Sequence, residues 1–442
     1  MNESMPRRRL LHFVLAAFGL RAFASALAPI PAEDAANYLW MAQRFAAGDA
    51  ESALSEVFPP LLSLLIAPFL LLPIDPFRAG QLVTAVCGAL AVWPLVRLVE
   101  RTEPGQGLPA AVLATIAPLV VRYGAEVYSE PVFLLAATAS MGAALDRRPA
   151  LAGVLAGVAF WARPEALALG LAPLVISGRR GLLALVPLVG AAIGLAAWRS
   201  AAGLPFELLP KLGLHAVRGD GAFDGARLHV GQFLEHVVAL PGIWLEAFQL
   251  AGVLALLGLW HARRDPALRA HRLVLLVGIL AILLFLPRRR FLISWFFVVL
   301  PFAVRGLRSL PERGRWPTLF VAGLTGLFAS LKIGETDRIG ERQVGEYLGA
   351  RLEPDETVAG DMTRVLWFAG SRPIPPRHFS VEELVDRALE PTVRFVVLGA
   401  RREGTQQVEQ ALAPDFTRYV LPEIEQRAAF LRGILVLERA PR

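Results

Sequence analysis

Cysteine is nearly absent from this sequence of 442 residues, in which Cys87 stands alone. The chain therefore has no internal disulfide and no metal site built from cysteines. A glycine-rich phosphate loop and a GxGxxG motif are both missing after the strands predicted near the C-terminus, so nothing points to nucleotide binding there. The sequence also lacks internal repeats and low-complexity segments, which excludes repeat architectures.

Apolar residues, by contrast, are abundant. They make up 55% of the chain, the mean hydropathy is +0.51, and long apolar runs recur as far as about Lys332. This pattern predicts a polytopic α-helical membrane protein. The net charge of +7 comes largely from arginine clusters between the apolar runs. Because cytoplasmic loops favour such clusters, we expect membrane lipids around the chain and no nucleic-acid partner.

The N-terminus imitates a signal peptide, with Arg7–Arg9, an apolar run and the small-residue stretch "ASALAP". However, Arg21 interrupts the apolar core and Pro29 follows the small residues, which argues against cleavage. We predict an uncleaved first span over 9–29 with a cytoplasmic N-terminus, in a bacterial-type inner (plasma) membrane.

Counting from this end predicts about eleven spans. The run 58–73 contains four prolines and is short for a crossing, so it is predicted to be juxtamembrane or re-entrant. The predicted spans are 9–29, 78–98, 108–123, 131–145, a hairpin of two short halves over 149–177, 181–199, 240–260, 272–286, 291–304 and 316–332. External loops are then expected at 30–77 and 200–238. One cluster, Arg288–Arg290, falls outside, against the positive-inside rule.

Two domains are predicted, a transmembrane catalytic domain over 1–333 and an external α/β domain over 334–442. In the second, "TVAGD" (357–361) and "VRFVVLG" (393–399) are typical of buried strands, and "GILVLERA" is expected to complete the sheet. Between them, "SVEELVDRALE" (380–390) predicts a helix that begins with a capping box.

Carboxylates follow the first span directly, at Glu33 and Asp34. Helical spacing in "EDAANYLWMAQRFA" predicts a helix resting on the membrane surface, with Asp34 near its N-terminus, where an anion is favoured. Its apolar face would carry Ala35, Tyr38, Leu39, Ala42, Phe45 and Ala46, and its polar face Asp34, Asn37 and Arg44. The alternative is that Asp34 is only an N-cap.

Further charged residues are predicted on the same side of the membrane. Glu126 and Glu130 flank "VYS" between two spans and would face a cavity or, alternatively, a solvated turn. Arg163 and Glu165 at the hairpin apex could form a structural ion pair or reach an anionic head group. Arg288, Arg289 and Arg290 suit a phosphate through their planar guanidinium groups, or they are snorkelling residues.

These segments resemble the GT-C superfamily of membrane glycosyltransferases in their order along the chain and in their predicted side of the membrane. The resemblance is to its branch of protein mannosyltransferases and lipid A aminoarabinose transferases. The likeness covers the first six spans best. It rests on "EDAANYLWMAQRF", "FPPLLSLL" (58–65), "YSEPVFLL" (128–135), "FWARPEALAL" (160–169) and "PRRRFLISWFFVVLP". The chain departs from the pattern at Phe58, where relatives often have a His or Lys, and it lacks a paired Asp-x-Asp in the first loop.

The resemblance implies an inverting enzyme that transfers a sugar from a polyprenyl phosphate to a lipid, glycan or protein acceptor on the external face. Asp34 would be the general base, and Glu130 would orient the acceptor or share that role. The implied substrate-binding residues are Glu33, Tyr38, Tyr128, Arg163, Glu165, Arg288, Arg289 and Arg290. No cofactor is predicted. A divalent metal lacks support, since His215, His229 and His236 match no compact motif.

Two other function classes stay open at this stage. A transporter or flippase of lipid-linked glycans usually carries polar residues near mid-membrane in broken helices. A non-catalytic scaffold would bind a partner through the C-terminal domain and would not depend on Asp34 or Glu130.

Overall fold

The computed structural model describes residues 4–54, 58–208, 229–285, 288–331, 339–373, 380–399, 404–419, 421 and 434–440. It is predominantly helical and has one small sheet near the C-terminus, as the sequence predicted. The predicted 200–238 loop and the predicted 334–442 domain are described only in part, and His215 lies outside the described residues.

The described helices of the N-terminal region follow one another closely. They are α1 (Arg7–Ala26), α2 (Glu33–Ala46), α3 (Ala50–Leu54), α4 (Leu61–Ile66), α5 (Pro76–Leu90), α6 (Val92–Thr102), α7 (Gly107–Ile116), α8 (Pro118–Ala125), α9 (Glu130–Leu145), α10 (Pro149–Ala162), α11 (Leu171–Ser177), α12 (Leu185–Ala201), α13 (Val230–His261), α14 (Arg269–Phe285), α15 (Arg289–Ile293), α16 (Phe296–Ser309) and α17 (Glu312–Leu331). Short 3₁₀ helices extend several of them, at Ala67–Leu71, Pro164–Gly170, Gly178–Ala184 and Pro266–Leu268.

Five stretches of the described chain are long and apolar enough to cross a membrane. They are Arg7–Ala26, Pro76–Thr102, Pro164–Ala201, Val230–His261 and Pro266–Leu284. The pair α7 and α8 makes a sixth if it is one bent span, and the shorter apolar helices are Leu61–Leu71, Glu130–Leu145 and Pro149–Ala162. The chain is thus a multi-span membrane protein, while the count of about eleven spans stays a prediction.

Several boundaries differ from the sequence prediction. The predicted span 108–123 is two helices that meet at an angle of 51°, because Pro118 cannot donate a hydrogen bond to the preceding turn. The span predicted at 291–304 is likewise divided into α15 and α16. Helix α13 begins at Val230 rather than at 240, so the end of the predicted external loop is helical.

Helices α13 and α16 cross at a pair of glycines. A Cβ atom on Gly258 would lie 1.8 Å from the carbonyl oxygen of Phe302, and one on Gly306 would lie 1.9 Å from that of Leu254. Backbones can approach this closely only where side chains are missing, as is common between membrane helices. The two glycines therefore set the distance between these helices.

Three loops predicted to be cytoplasmic meet at one end of the helical bundle. Arg305 at the end of α16 pairs with Glu103 after α6 and with Asp265 after α13, at 2.5 Å in both cases. Glu103 is buried and also accepts from Arg308 at 3.3 Å. These pairs join the three loops on one side of the bundle, consistent with the predicted alternation of spans.

Four helices and four strands lie in the described residues of the C-terminal region. They are α18 (Ile339–Gly349), β1 (Thr357–Gly360), α19 (Thr363–Phe368), α20 (Val381–Ala388), β2 (Val393–Gly399), α21 (Thr405–Leu412), β3 (Phe416–Arg418) and β4 (Ile434–Arg439). The strand order is β1-β2-β4-β3, with β1 and β2 parallel and the other pairs antiparallel. Alternate residues of β2 enter two different clusters, one packed by α18 and α19 and the other by α20 and α21. The sheet therefore lies between two helical layers.

The predicted capping box is present in α20. The Ser380 side chain accepts from the Glu383 backbone N–H at 3.1 Å, and the Glu383 carboxylate accepts from the Ser380 N–H at 2.8 Å. The strands predicted at 357–361 and 393–399 are also found, as β1 and β2.

Helix α2 differs from its predicted environment. Every residue from Ala35 to Ala42 is buried, including Asn37 on the face expected to be polar. Helix α19 of the C-terminal region packs on α2, and its Trp367 contacts the core of the N-terminal helices. The helix is therefore enclosed rather than resting exposed on a membrane surface.

Candidate active site

The first turn of α2 places Asp34 beside an arginine from the other end of the helical region. Ala32 is the N-cap residue and its side chain makes no capping hydrogen bond, so Asp34 is not an N-cap. Its Oδ2 instead accepts a hydrogen bond from Arg290 Nη2 at 2.5 Å. The Asp34 side chain is 15% exposed.

Glu130 begins α9 and lies in the same cluster. It is 3% exposed, which excludes the solvated turn. A buried carboxylate is costly without cationic partners, and Glu130 has two: Arg163 Nη1 at 2.5 Å and Arg290 Nε at 3.5 Å. Its Oε2 atom is buried and has no hydrogen-bond partner in the described part of the chain.

Arg163 joins the hairpin apex to Glu130. Its extended backbone separates α10 from the 3₁₀ helix that begins at Pro164, and this turn aims the side chain into the cluster. Arg163 donates to Glu165 at 2.7 Å as well as to Glu130. The pair Arg163–Glu165 is thus part of a larger network.

Arg290 is the residue that connects the two acidic sites, since it pairs with both Asp34 and Glu130. Its neighbours Arg288 and Arg289 are exposed. The pairing places the start of α15 on the same side as Asp34, as span counting had required against the positive-inside rule. The cluster holds three carboxylates, Asp34, Glu130 and Glu165, and two guanidinium groups, so its formal charge is −1.

Aromatic rings surround these charges. The guanidinium of Arg290 lies over Tyr128 at 5.6 Å and over Phe291 at 5.5 Å, and that of Arg163 lies over Phe291 at 5.3 Å. Such cation–π contacts hold guanidinium groups while leaving their edges available for hydrogen bonds. Phe291 was not predicted from the sequence, although it directly follows the arginine cluster.

Tyr38 lies one turn after Asp34 and forms a second aromatic wall. Its hydroxyl donates to Ser129 Oγ at 3.1 Å, and its ring meets Phe58 edge-on with centroids 5.1 Å apart. Phe58, the point of departure from the family pattern, therefore contributes packing and no charge. Ser129 was not singled out in the sequence, where only its neighbours Tyr128 and Glu130 were.

Both tyrosines stay neutral in this environment. Burial, followed by the charge of Asp34, raises the pKa of the Tyr38 hydroxyl above its ordinary value. Burial, followed by the charge of Glu126, raises the pKa of Tyr128. Each phenol can thus donate a hydrogen bond and neither supplies an anion. Glu126 itself pairs with Arg122 at 3.2 Å, apart from the main cluster.

Glu33 faces another direction from Asp34. Its carboxylate lies 3.7 Å from Arg364 of α19, a residue that is 3% exposed and that was not among the predicted site residues. Within the described ranges, no group of three or more His, Cys, Asp and Glu side chains could hold a metal ion.

Part of the chain is similar in sequence to a known protein family. Residues 58–200 match the sequence profile of the dolichyl-phosphate-mannose-protein mannosyltransferase family. No curated protein matches the sequence significantly.

Solved structures are similar over nearly the whole chain. ArnT from Cupriavidus metallidurans, bound to undecaprenyl phosphate, has a TM-score of 0.63 at 14% identity and covers 99% of this chain and 100% of its own. The Archaeoglobus fulgidus oligosaccharyltransferase with Zn and sulfate has a TM-score of 0.55 at 12% identity, over 93% of this chain and 72% of its own. The arabinofuranosyltransferase AftD from Mycobacteria has a TM-score of 0.52 at 15% identity, over 100% of this chain and 42% of its own.

The fold is that of the GT-C membrane glycosyltransferases, and the resemblance predicted from the sequence is confirmed. The family match over 58–200 and these structures together show what the chain is similar to, a group of membrane glycosyltransferases.

Proposed function

We propose that this protein transfers a sugar from a polyprenyl-phosphate donor to an acceptor hydroxyl, with inversion at the anomeric carbon and with Asp34 as the general base. The donor class is suggested by ArnT, which has been solved with undecaprenyl phosphate. The acceptor is a lipid, a glycan or a protein that carries a nucleophilic hydroxyl.

One observation supports the proposal most strongly. Four separate parts of the chain bring Asp34, Glu130, Arg163 and Arg290 into a single network. The network keeps unused buried atoms, since Glu130 Oε2 and Arg163 Nε have no hydrogen-bond partner among the described residues. Buried polar atoms are normally paired, so one unused acceptor and one unused donor fit a substrate with hydroxyl and phosphate oxygens.

The reaction is a single displacement. The acceptor oxygen attacks the anomeric carbon while its proton passes to the Asp34 carboxylate. The bond between the anomeric carbon and the phosphate oxygen breaks, and its electron pair leaves on the polyprenyl phosphate. Arg290 and Arg163 stabilise the negative charge that develops on that phosphate. The products are the glycosylated acceptor and free polyprenyl phosphate.

An exchange of ion pairs must come before this step. Asp34 is paired with Arg290 at 2.5 Å, and a carboxylate held by a guanidinium is a weaker base. The donor phosphate competes for the same guanidinium, because planar guanidinium groups bind phosphate in bidentate fashion. Donor binding therefore releases Asp34, so we expect the donor to bind before proton transfer becomes possible.

Glu130 is the second carboxylate of the site and stays with Arg163 throughout. Its free Oε2 atom accepts a hydrogen bond from an acceptor or sugar hydroxyl and thereby orients it. Tyr38 and Tyr128, neutral and aromatic, border the sugar, while Glu165 holds Arg163 in place at 2.7 Å. Arg288 and Arg289, which are exposed, attract the anionic donor to the site.

The location of the site follows from the depth of the donor phosphate in the membrane and from the positive charge of the N-terminus. A polyprenyl phosphate keeps its tail in the bilayer and its phosphate among the head groups, so the site lies at the membrane surface. With Arg7–Arg9 in the cytoplasm, this surface is the external face of a bacterial-type inner membrane. The C-terminal domain, which packs on α2, is then external as well.

The test is the release of free polyprenyl phosphate by the purified protein. The protein is incubated in detergent with a panel of polyprenyl-phosphate sugars and an envelope extract, and the anomeric configuration of the product is determined by NMR. Release from one donor with inversion supports the proposal, and retention of configuration contradicts the single displacement. Flux of lipid-linked glycan across proteoliposomes without any release would favour the transporter instead.

A further inference from the structure

The two acids at the start of α2 are each paired with an arginine from a distant part of the chain. Asp34 pairs with Arg290 at 2.5 Å, and Glu33 lies 3.7 Å from Arg364. The first arginine belongs to the membrane helices and the second to the C-terminal α/β region. The helix that carries the proposed base is thus held from two sides at its first turn.

Arg364 is built into the C-terminal region as a fixed group. Its side chain is 3% exposed and grips Glu341 of α18 in a bidentate pair, with Nε to Oε2 at 2.6 Å and Nη2 to Oε1 at 2.8 Å. A bidentate pair fixes the orientation of a guanidinium as well as its position. The Nη2 atom that approaches Glu33 therefore cannot move without disturbing α18 and α19.

A second contact lies two turns further along α2. Trp40, seven residues after Glu33 and so on the same face of the helix, lies under the guanidinium of Arg372 at 5.2 Å. Trp367, one turn after Arg364 in α19, contacts the core of the membrane helices. The C-terminal region thus contacts α2 at Glu33 and at Trp40, whereas Asp34 and Tyr38 contact Arg290 and Ser129 of the candidate active site.

We propose that Arg364 is a positioning residue for catalysis, which acts through Glu33 to fix the first turn of α2 and with it the carboxylate of Asp34. This inference rests on the proposed role of Asp34 as general base. Arg364 does not reach the reacting atoms, since its ion pairs run to Glu33 and Glu341. Because general-base catalysis depends on sub-ångström placement, a shift of about 1 Å at Asp34 costs on the order of 100-fold in rate.

One alternative has to be separated from this role. The Nη1 atom of Arg364 is buried and has no hydrogen-bond partner in the described part of the chain. A residue that bound substrate directly through Nη1 would change KM, whereas a positioning residue changes kcat. The kinetic test therefore measures kcat and KM separately for each variant.

The variants are Arg364→Gln, Glu33→Gln and the double variant, with Arg418→Gln as control. Arg418 is 72% exposed and pairs with Glu409 on the far side of the sheet. We expect Arg364→Gln and Glu33→Gln each to lower kcat by about 10- to 100-fold with KM for donor and acceptor changed less than about threefold. The kcat of the double variant should fall no further than that of the more impaired single variant, because both substitutions remove the same link.

Three outcomes would overturn the proposal: a rise in KM without a fall in kcat, losses that multiply in the double variant, or full activity in Glu33→Gln. Glu33 is 48% exposed in its side chain, so that variant is expected to fold even if Arg364→Gln does not. A wild-type protein without transfer activity would instead contradict the proposed function, and the structural link is then measured by itself.

Hydrogen exchange supplies that measurement without any need for activity. Arg364→Gln and Glu33→Gln should both speed amide exchange in 33–40 and leave exchange in α5 unchanged, since α5 is held by other contacts. Unchanged exchange at the start of α2 in both variants contradicts the link, whatever the enzyme assay shows. Arg418→Gln should leave both segments as in the wild type.

Discussion

In the proposed mechanism, Arg290 pairs with two anions in turn, the Asp34 carboxylate in the free enzyme and the donor phosphate in the complex. The first pairing is present in the structure, at 2.5 Å. The second follows from the preference of guanidinium groups for phosphate. The exchange explains how a base can lie in an ion pair and still act, because donor binding itself removes the partner.

Replacing Arg290 by Gln tests this exchange at the residue scale. We expect donor affinity to fall about 10- to 100-fold, since a hydrogen bond to a charged group contributes about 1.5–3 kcal/mol. Isothermal titration with the donor lipid in detergent would measure it. Arg313→Gln, an exposed arginine at the opposite end of the bundle, should bind donor as the wild type does. Unchanged affinity in Arg290→Gln would contradict the account.

Tyr38 gives a prediction about pH. Burial and then the charge of Asp34 raise the pKa of its hydroxyl, so the phenol keeps its proton through about pH 10. Tyr38→Phe should therefore lower kcat/KM by a similar factor at every value from about pH 7 to 10, through loss of the bond to Ser129. An alkaline limb that is present in the wild type and missing in the variant would show that Tyr38 titrates instead.

At the scale of elements, α13 and α16 cross with their backbones in close contact at Gly258 and Gly306. Gly306→Ala places a methyl group 1.9 Å from the carbonyl oxygen of Leu254, so the helices must separate. We expect a loss of about 1–3 kcal/mol, seen as a lower apparent melting temperature in detergent. Gly314→Ala in α17 is the control, since nothing lies within 4 Å of its added Cβ. Equal melting temperatures for the two variants would contradict this reading of the crossing.

Local patterns predicted many elements well. The acidic start of α2, the strands β1 and β2 and the capping box of α20 all depend on neighbouring residues, and a sequence displays these directly. Breaks within apolar runs were less visible, and the bend at Pro118 and the division between α15 and α16 were missed. An apolar run shows that a segment is in the membrane but not whether it is one helix or two.

The environment of α2 could not be read from its sequence at all. Its contact with α19 joins residues more than 300 positions apart, so no local periodicity reports it. The same limit applies to Arg290, since only its burial between Asp34 and Glu130 distinguishes it from Arg288 and Arg289. The order of the motifs and their predicted side of the membrane indicate the candidate site residues. Only tertiary packing shows which of these residues lie in one cluster.

At the scale of the whole molecule, a GT-C helical region and a C-terminal α/β region meet at one helix. The proposed catalytic acids come from the first turns of α2 and α9, and the arginines come from the hairpin apex and α15. Helix α19 of the C-terminal region packs on α2. Arg290 pairs with Asp34, and Arg364 pairs with the neighbouring Glu33. Distant parts of the chain thus surround the carboxylate of Asp34. The central claim about function is that this carboxylate is the general base.

The most direct test of that claim is the transfer rate of Asp34→Asn with the donor that the wild type uses. The variant keeps the shape of the side chain but cannot accept a proton, so release of polyprenyl phosphate should fall about 100- to 10,000-fold. Asp49→Asn, just after the same helix and partly exposed in its side chain, should retain the wild-type rate. An Asp34→Asn enzyme that transfers sugar at the wild-type rate would contradict the account.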